Sequence, residues 1–164
     1  MDNNTVQTDT AKMKSKKKKI IIVALAIVFV VVIGYLIIPS STPFDKLEWR
    51  SGMYETQSTI GNDGRISGND LYYTDFPWVG EKGRLEIRFD GYGGLSYAKW
   101  DCESDNTLRA FRKIKMALDK KCGPGKFDKS SGKYTWNDKK SNDYEVSYND
   151  NHIYVYWNYH KYGY

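Results

Sequence analysis

The sequence predicts an α+β protein: an N-terminal transmembrane helix, then an antiparallel sheet of two three-stranded meanders with one strong helix packed on one face. Three observations carry that expectation. Residues 20–38, IIIVALAIVFVVVIGYLII, run for 19 positions without a charge. Two later stretches, 71–100 and 133–159, repeat one order of aromatic strand, polar connection, alternating strand, turn and aromatic strand. Between them lies the segment with the strongest helical spacing of apolar residues.

At 1.5 Å per residue, the 19 uncharged residues are long enough for a bilayer core of roughly 30 Å. A cleaved signal peptide is the competing reading, but its apolar region runs about 7–15 residues and ends in a small-x-small site. Here the run is longer and ends in IIPSSTPF, with no Cys placed to take a lipid. Lys12, Lys14, Lys16, Lys17, Lys18 and Lys19 precede the run, whereas SSTPFDKLE follows it with one Lys among acids. The positive-inside rule therefore places a basic tail, 1–19, in the cytoplasm and the C-terminal domain outside, on an uncleaved single-pass anchor. That orientation also disqualifies the sequon at Asn3-Asn4-Thr5.

The chain carries a net charge of +5, but residues 1–38 hold six Lys against two Asp, and the remainder 19 basic against 18 acidic residues. Basicity thus belongs to the topology signal, and a nucleic-acid role loses the basic domain face it needs.

After a short linker, 39–43, a single domain is expected over 44–164. Residues Met53 to Ile60 have room for one or two helical turns, weakened by Thr56, Ser58 and Thr59. In the first meander Leu85, Ile87 and Phe89 alternate with Glu86, Arg88 and Asp90, giving one buried and one wet face. Tyr73-Thr74 aligns with Tyr134-Thr135, Arg84 to Asp90 with Asp143 to Asn149, and Leu95 to Trp100 with Ile153 to Asn158. A helix over 105–121 is predicted by Thr107, Phe111, Ile114 and Leu118 at helical spacing, beside Ala110 and Ala117. Ser104 or Asp105 is the expected cap, Lys120 and Lys121 suit the C-terminal dipole, and Gly123-Pro124 ends the helix. In the last hairpin, a turn centred on Asp150-Asn151 pairs Tyr148 with Ile153, Val146 with Val155 and Tyr144 with Trp157, all toward the helix. Ser147 with Tyr154, and Glu145 with Tyr156, then face the other way.

Gly52-Met53 ahead of a short helical stretch ending at Gly61, and Lys-Lys-Cys-Gly-Pro closing a helix before a Tyr-x-Trp strand, resemble the small extracytoplasmic modules of the BamE and β-lactamase-inhibitor-protein type. The resemblance covers Leu47 to Tyr159. It implies short helices on a three- or four-stranded meander and a non-catalytic protein-binding or envelope-assembly role, and it supplies no catalytic residue to carry over.

No HExxH, GxSxG or P-loop is present. His152, in a predicted turn, and His160, near the chain end, read as solvated imidazoles. Cys102 and Cys122 are expected to stay unbridged, because an intervening helix sets them roughly 25–30 Å apart against the roughly 4.4–6.8 Å between Cα atoms that a disulfide allows. Gly61 to Asp70 lacks the spacing of an EF-hand loop and reads as a turn. Glu86 with Asp90, or Glu145 with Asp150, could supply paired carboxylates for glycoside hydrolysis, but nothing in the sequence fixes the separation on which that chemistry depends, and chance pairs are expected among the domain's 18 acids. Neither a metal nor a cofactor is expected.

Two surfaces remain as binding candidates. Arg109, Arg112 and Lys113, with Lys115, Lys120 and Lys121, form either a solvated helix face or a docking strip for acidic wall polymer or lipid headgroups. Tyr154 and Tyr156, with Trp100 assigned to the outer face of the first meander, are the rings not needed by the core. The expected function is a membrane-anchored, extracytoplasmic protein-binding or assembly domain. A cell-wall carbohydrate-binding module that stacks sugars on exposed rings is the alternative, and an enzyme of unrecognised family the third reading.

Overall fold

The structure, a computed structural model, describes residues 20–29, 39–140 and 142–159. The chain divides into two units at Ile38/Pro39. In the first, residues 20–29 form helix α1. The expected basic tail, 1–19, the second part of the expected transmembrane helix, 30–38, and His160 lie outside the described residues. Among the described residues no helix is long and apolar enough to cross a membrane.

In the second unit, the expected antiparallel sheet of two three-stranded meanders gives way to one of eight strands. Its strands are β1 (Arg65–Ser67), β2 (Asp70–Trp78), β3 (Glu81–Phe89), β4 (Leu95–Glu103), β5 (Lys126–Asp128), β6 (Lys133–Asn137), β7 (Asn142–Tyr148) and β8 (His152–Tyr159). Their spatial order is β1-β2-β3-β4-β8-β7-β6-β5. Each half is therefore a four-stranded meander, and the halves join where β4 pairs with β8. Neither β1 nor β5 was expected, since three residues are too few to show a period. Helix α2 (Met53–Ile60) precedes the first meander and α3 (Thr107–Cys122) the second.

Two rows of side chains on one sheet face make the core. One runs Leu71, Ile87, Ala98, Trp157, Tyr144, Trp136 across six strands; the next runs Tyr73, Leu85, Trp100, Val155, Val146, Tyr134. All are buried except Tyr134, which is half-buried. Helix α3 covers these rows with Thr107, Ala110, Phe111, Ile114, Ala117 and Leu118. Its cap is Asn106, whose Oδ1 accepts from Arg109 N at 3.0 Å, rather than Ser104 or Asp105.

Residues 41–51, expected as linker and domain start, form a strap over the end of the core. Phe44 lies parallel to Trp157 at 5.9 Å, and Trp49 stacks on the same indole at 3.9 Å. Ser41 O accepts from Trp78 Nε1 at 2.8 Å, so the strap belongs to the fold.

Alternation counted from Leu95 puts Trp100 on the outer face, yet Trp100 is fully buried. The cause is a register shift: Arg88 pairs with Tyr97 but Phe89 with Leu95, so Ser96 is an extra residue that reverses the parity of the strand. Trp100 then falls opposite Leu85 and Val155, over Gly83, where a Cβ would lie 2.5 Å from its ring. Two further departures concern exposure. Tyr148 sits at the margin of the core face and is 45% exposed, and Glu86, on the wet face, is only 7% exposed.

Candidate binding face

The strap, α2 and α3 all pack on the core rows, which leaves the opposite sheet face without a cover among the described residues. One row crosses all eight strands of that face: Arg65, Tyr72, Glu86, Lys99, Tyr156, Glu145, Thr135, Lys126. A neighbouring row runs Arg84, Asp101, Tyr154, Ser147. Period-two alternation places these residues together, because everything between them faces the core.

In the first half the polar groups satisfy one another. Glu86 accepts from the Tyr97 hydroxyl at 3.0 Å and is approached by Arg84, Arg88 and Lys99 at 3.5–3.6 Å. Asp101 pairs with Lys99 at 3.1 Å and Arg84 at 3.4 Å. Asp70 takes a two-pronged contact from Arg88 at 2.7 and 3.1 Å and a hydrogen bond from the Tyr72 hydroxyl at 3.0 Å. The Arg88 hydrogen bond holds the Asp70 carboxyl below its ordinary range, while burial, then the Glu86 hydrogen bond, pushes the Tyr97 phenol up to about 12. These compensating partners offset the cost of holding the Glu86 side chain at low exposure.

The second half is plainer. Lys133 Nζ donates to Glu145 Oε1 at 2.7 Å, a hydrogen bond that raises the Lys133 pKa. Along β8 the rings of His152 and Tyr154 stack at 5.7 Å and 17°, and Tyr156 follows two residues on, half-buried. Since β8 is one of the two central strands, this aromatic stripe occupies the middle of the face, inside a surround of balanced charge.

The expected site residues are thus divided. Tyr154 and Tyr156 stand together on the outer face; Trp100 is on the other side, in the core. Arg109 and Lys113 line a shallow polar groove of about 620 Å³ with Gly80, Glu81, Glu103, Ser104, Asp105 and Asn106, and Arg112 lies outside it, exposed. Within the basic strip, Lys113 pairs with Glu81 at 3.1 Å, Lys115 with Asp119 at 2.5 Å, and Lys121 with Asp45. Sequence reasoning missed Tyr72, Tyr97, Lys99 and His152. The alternation of LYYTD and HIYVYWN held the signal for Tyr72 and His152, whereas the bulge at Ser96 hid Tyr97 and Lys99.

Both cysteines are free thiols, Cys102 buried under the sheet and Cys122 half-buried at the end of α3. Burial pushes Cys102 up to about 12 and Cys122 to about 11, which leaves neither a ready nucleophile. Among the described residues no three His, Cys, Asp or Glu side chains are grouped to hold a metal ion. No protein family, no curated protein and no solved structure matches this chain.

Proposed function

We propose that this is a binding domain that docks another protein on the outer sheet face, held on the outer side of the cell membrane by the apolar N-terminal segment, 20–38. The observation that carries the docking reading is the central stripe of His152, Tyr154 and Tyr156 on a sheet face that no other element covers among the described residues. Tyrosine in a flat, charge-balanced surround is what protein interfaces favour, because a ring contributes contact area with few rotors to order. A surface meant for an acidic polymer would instead leave its cations uncompensated. The membrane attachment rests on the hydropathy of 20–38 and the lysines before it.

A photo-crosslinking side chain at Tyr156 of the full-length protein in cells tests the reading, with Tyr92, fully exposed at a hairpin tip, as the control position. Expected is one discrete protein adduct from position 156, competed away by excess soluble domain and absent from position 92. Absence of any protein adduct, together with retention on isolated wall polysaccharide that Tyr156→Ala abolishes, would establish the sugar-binding reading instead.

A further inference from the structure

The sheet ends at β5, Lys126-Phe127-Asp128, whose one strand neighbour is β6 and whose three residues are all exposed. Phe127 leaves 51% of its surface to solvent, although its ring touches Tyr134 at 4.7 Å. The Asp128 carbonyl accepts from Gly132 N at 2.9 Å, which turns the backbone groups of Asp128 toward the hairpin. By the alternation of an antiparallel ladder, Phe127 then directs its N–H and C=O away from the sheet. An edge of this kind is a template for another strand.

We propose that β5 pairs antiparallel with β5 of a second copy of this chain, about a two-fold axis at Phe127, joining two sheets edge to edge. The sequence of the strand is self-complementary in that register. Lys126 falls opposite Asp128 of the second copy on the outer face, Phe127 opposite Phe127 on the helix side, and Asp128 opposite Lys126. The two Phe127 residues exchange both backbone hydrogen bonds, and each exposed ring gains a cross-strand aromatic neighbour.

Asp128 is prepared for such a pairing. Its carboxylate accepts from Ser130 N at 2.9 Å and from the hydroxyls of Ser130 and Ser131 at 2.7 Å each. Those hydrogen bonds fix the side chain and keep it ionised. The opposite edge, Arg65-Ile66-Ser67, lacks this property, since Arg65 would meet only Ser67 of a second copy. Three residues bury little area, so the pairing is weak in dilute solution and strengthens where copies are concentrated on one surface. It would set two outer faces side by side in one continuous sheet.

The test uses residues 39–164, a unit that contains every buried apolar residue described, from Phe44 to Trp157. In a Cys122→Ser background, Phe127→Cys is expected to form a disulfide-linked dimer, because hydrogen-bonded pairs sit about 5.5 Å apart between Cα atoms. Lys126→Cys and Asp128→Cys should not cross-link alone but should do so when mixed. Self-association measured by sedimentation should weaken about tenfold or more in Lys126→Asp, equivalent to at least about 1.4 kcal/mol, and recover in Lys126→Asp/Asp128→Lys. A mixture of Ile66→Cys and Phe127→Cys chains that cross-links instead would show head-to-tail pairing and overturn the proposal. So would a monomer at millimolar concentration with no Phe127→Cys dimer.

Discussion

In the first half of the domain a helix of 8 residues, α2, leads into β1–β4; in the second a helix of 16, α3, leads into β5–β8. The correspondence extends to detail. Gly64 precedes β1 and lies under the Tyr73 ring, and Gly125 precedes β5 and lies under the Trp136 ring, with room for a Cβ at neither. Yet α2 has no side-chain cap and buries only Thr56, whereas α3 is capped and buries six residues. The outer faces differ in the opposite sense, because the first half ties its charges into a network around Glu86 while the second presents tyrosines beside the Lys133–Glu145 pair. One shared sheet lets one helix do most of the covering. That frees each half's outer face to diverge without disturbing the core.

The comparison between faces breaks most sharply at two aromatic residues. Trp100→Ala empties a fully buried site and should cost about 3–5 kcal/mol in denaturant unfolding of residues 39–164. Tyr156→Ala, half-buried on the outer face, should cost about 1 kcal/mol and act on docking instead. Equal losses would mean that the outer stripe is part of the fold's support. Between the halves, Gly125→Ala places a Cβ 2.2 Å from Trp136 and Gly64→Ala one 2.6 Å from Tyr73. Each should cost about 1–3 kcal/mol by overpacking, the second-half variant more.

Acid separates the halves next. Burial pushes the Asp119 carboxyl up, but hydrogen bonds from Lys115, Trp136 Nε1 at 2.8 Å and Gly125 N at 3.0 Å win, and its pKa is lowered. Asp70 is lowered by the exposed Arg88. Both folded values lie below the unfolded carboxyl at about 3.9, so the stabilisation is fully present above that pH and is lost as pH falls through the folded values. Stability should therefore be level from pH 7 to about 5 and decline below about 4. Asp119→Asn should flatten that decline more than Asp70→Asn, because the solvent around Arg88 screens its pair. The reverse ranking in thermal melts at pH 3 to 6 would make the first half's network the acid-sensitive element.

The last hairpin shows what was legible in the sequence. Its register, Tyr148 to Ile153 through Tyr144 to Trp157, and the outward placement of Tyr154 and Tyr156, follow from alternation around Asp150-Asn151 alone, and the structure has the same pairs. Helix α3 was legible for a similar reason, since four turns repeat the apolar spacing often enough to be read. Trp100 was not, because one bulged residue reverses parity and leaves no trace in composition. The strand pair that joins the halves was also hidden: pairing Lys99 with Tyr156 is a contact across 57 positions, and no local pattern encodes it. Ion pairs such as Lys113 with Glu81 likewise form only once the chain is folded.

The two helix starts give the smallest effects and the finest test of the difference between halves. Asn106→Ala removes the hydrogen bond to Arg109 N and should cost about 1 kcal/mol. At the start of α2, Gly52 already has an extended backbone, φ −72° and ψ 167°, and a Cβ there meets nothing within 4 Å. Gly52→Ser should therefore supply the missing cap without strain and gain only a few tenths of a kcal/mol. Urea midpoints of the two variants decide the matter. If Gly52→Ser gained as much as Asn106→Ala lost, α2 would be limited by its cap alone, and the shortage of buried side chains could no longer explain why the first half relies on its neighbour for cover.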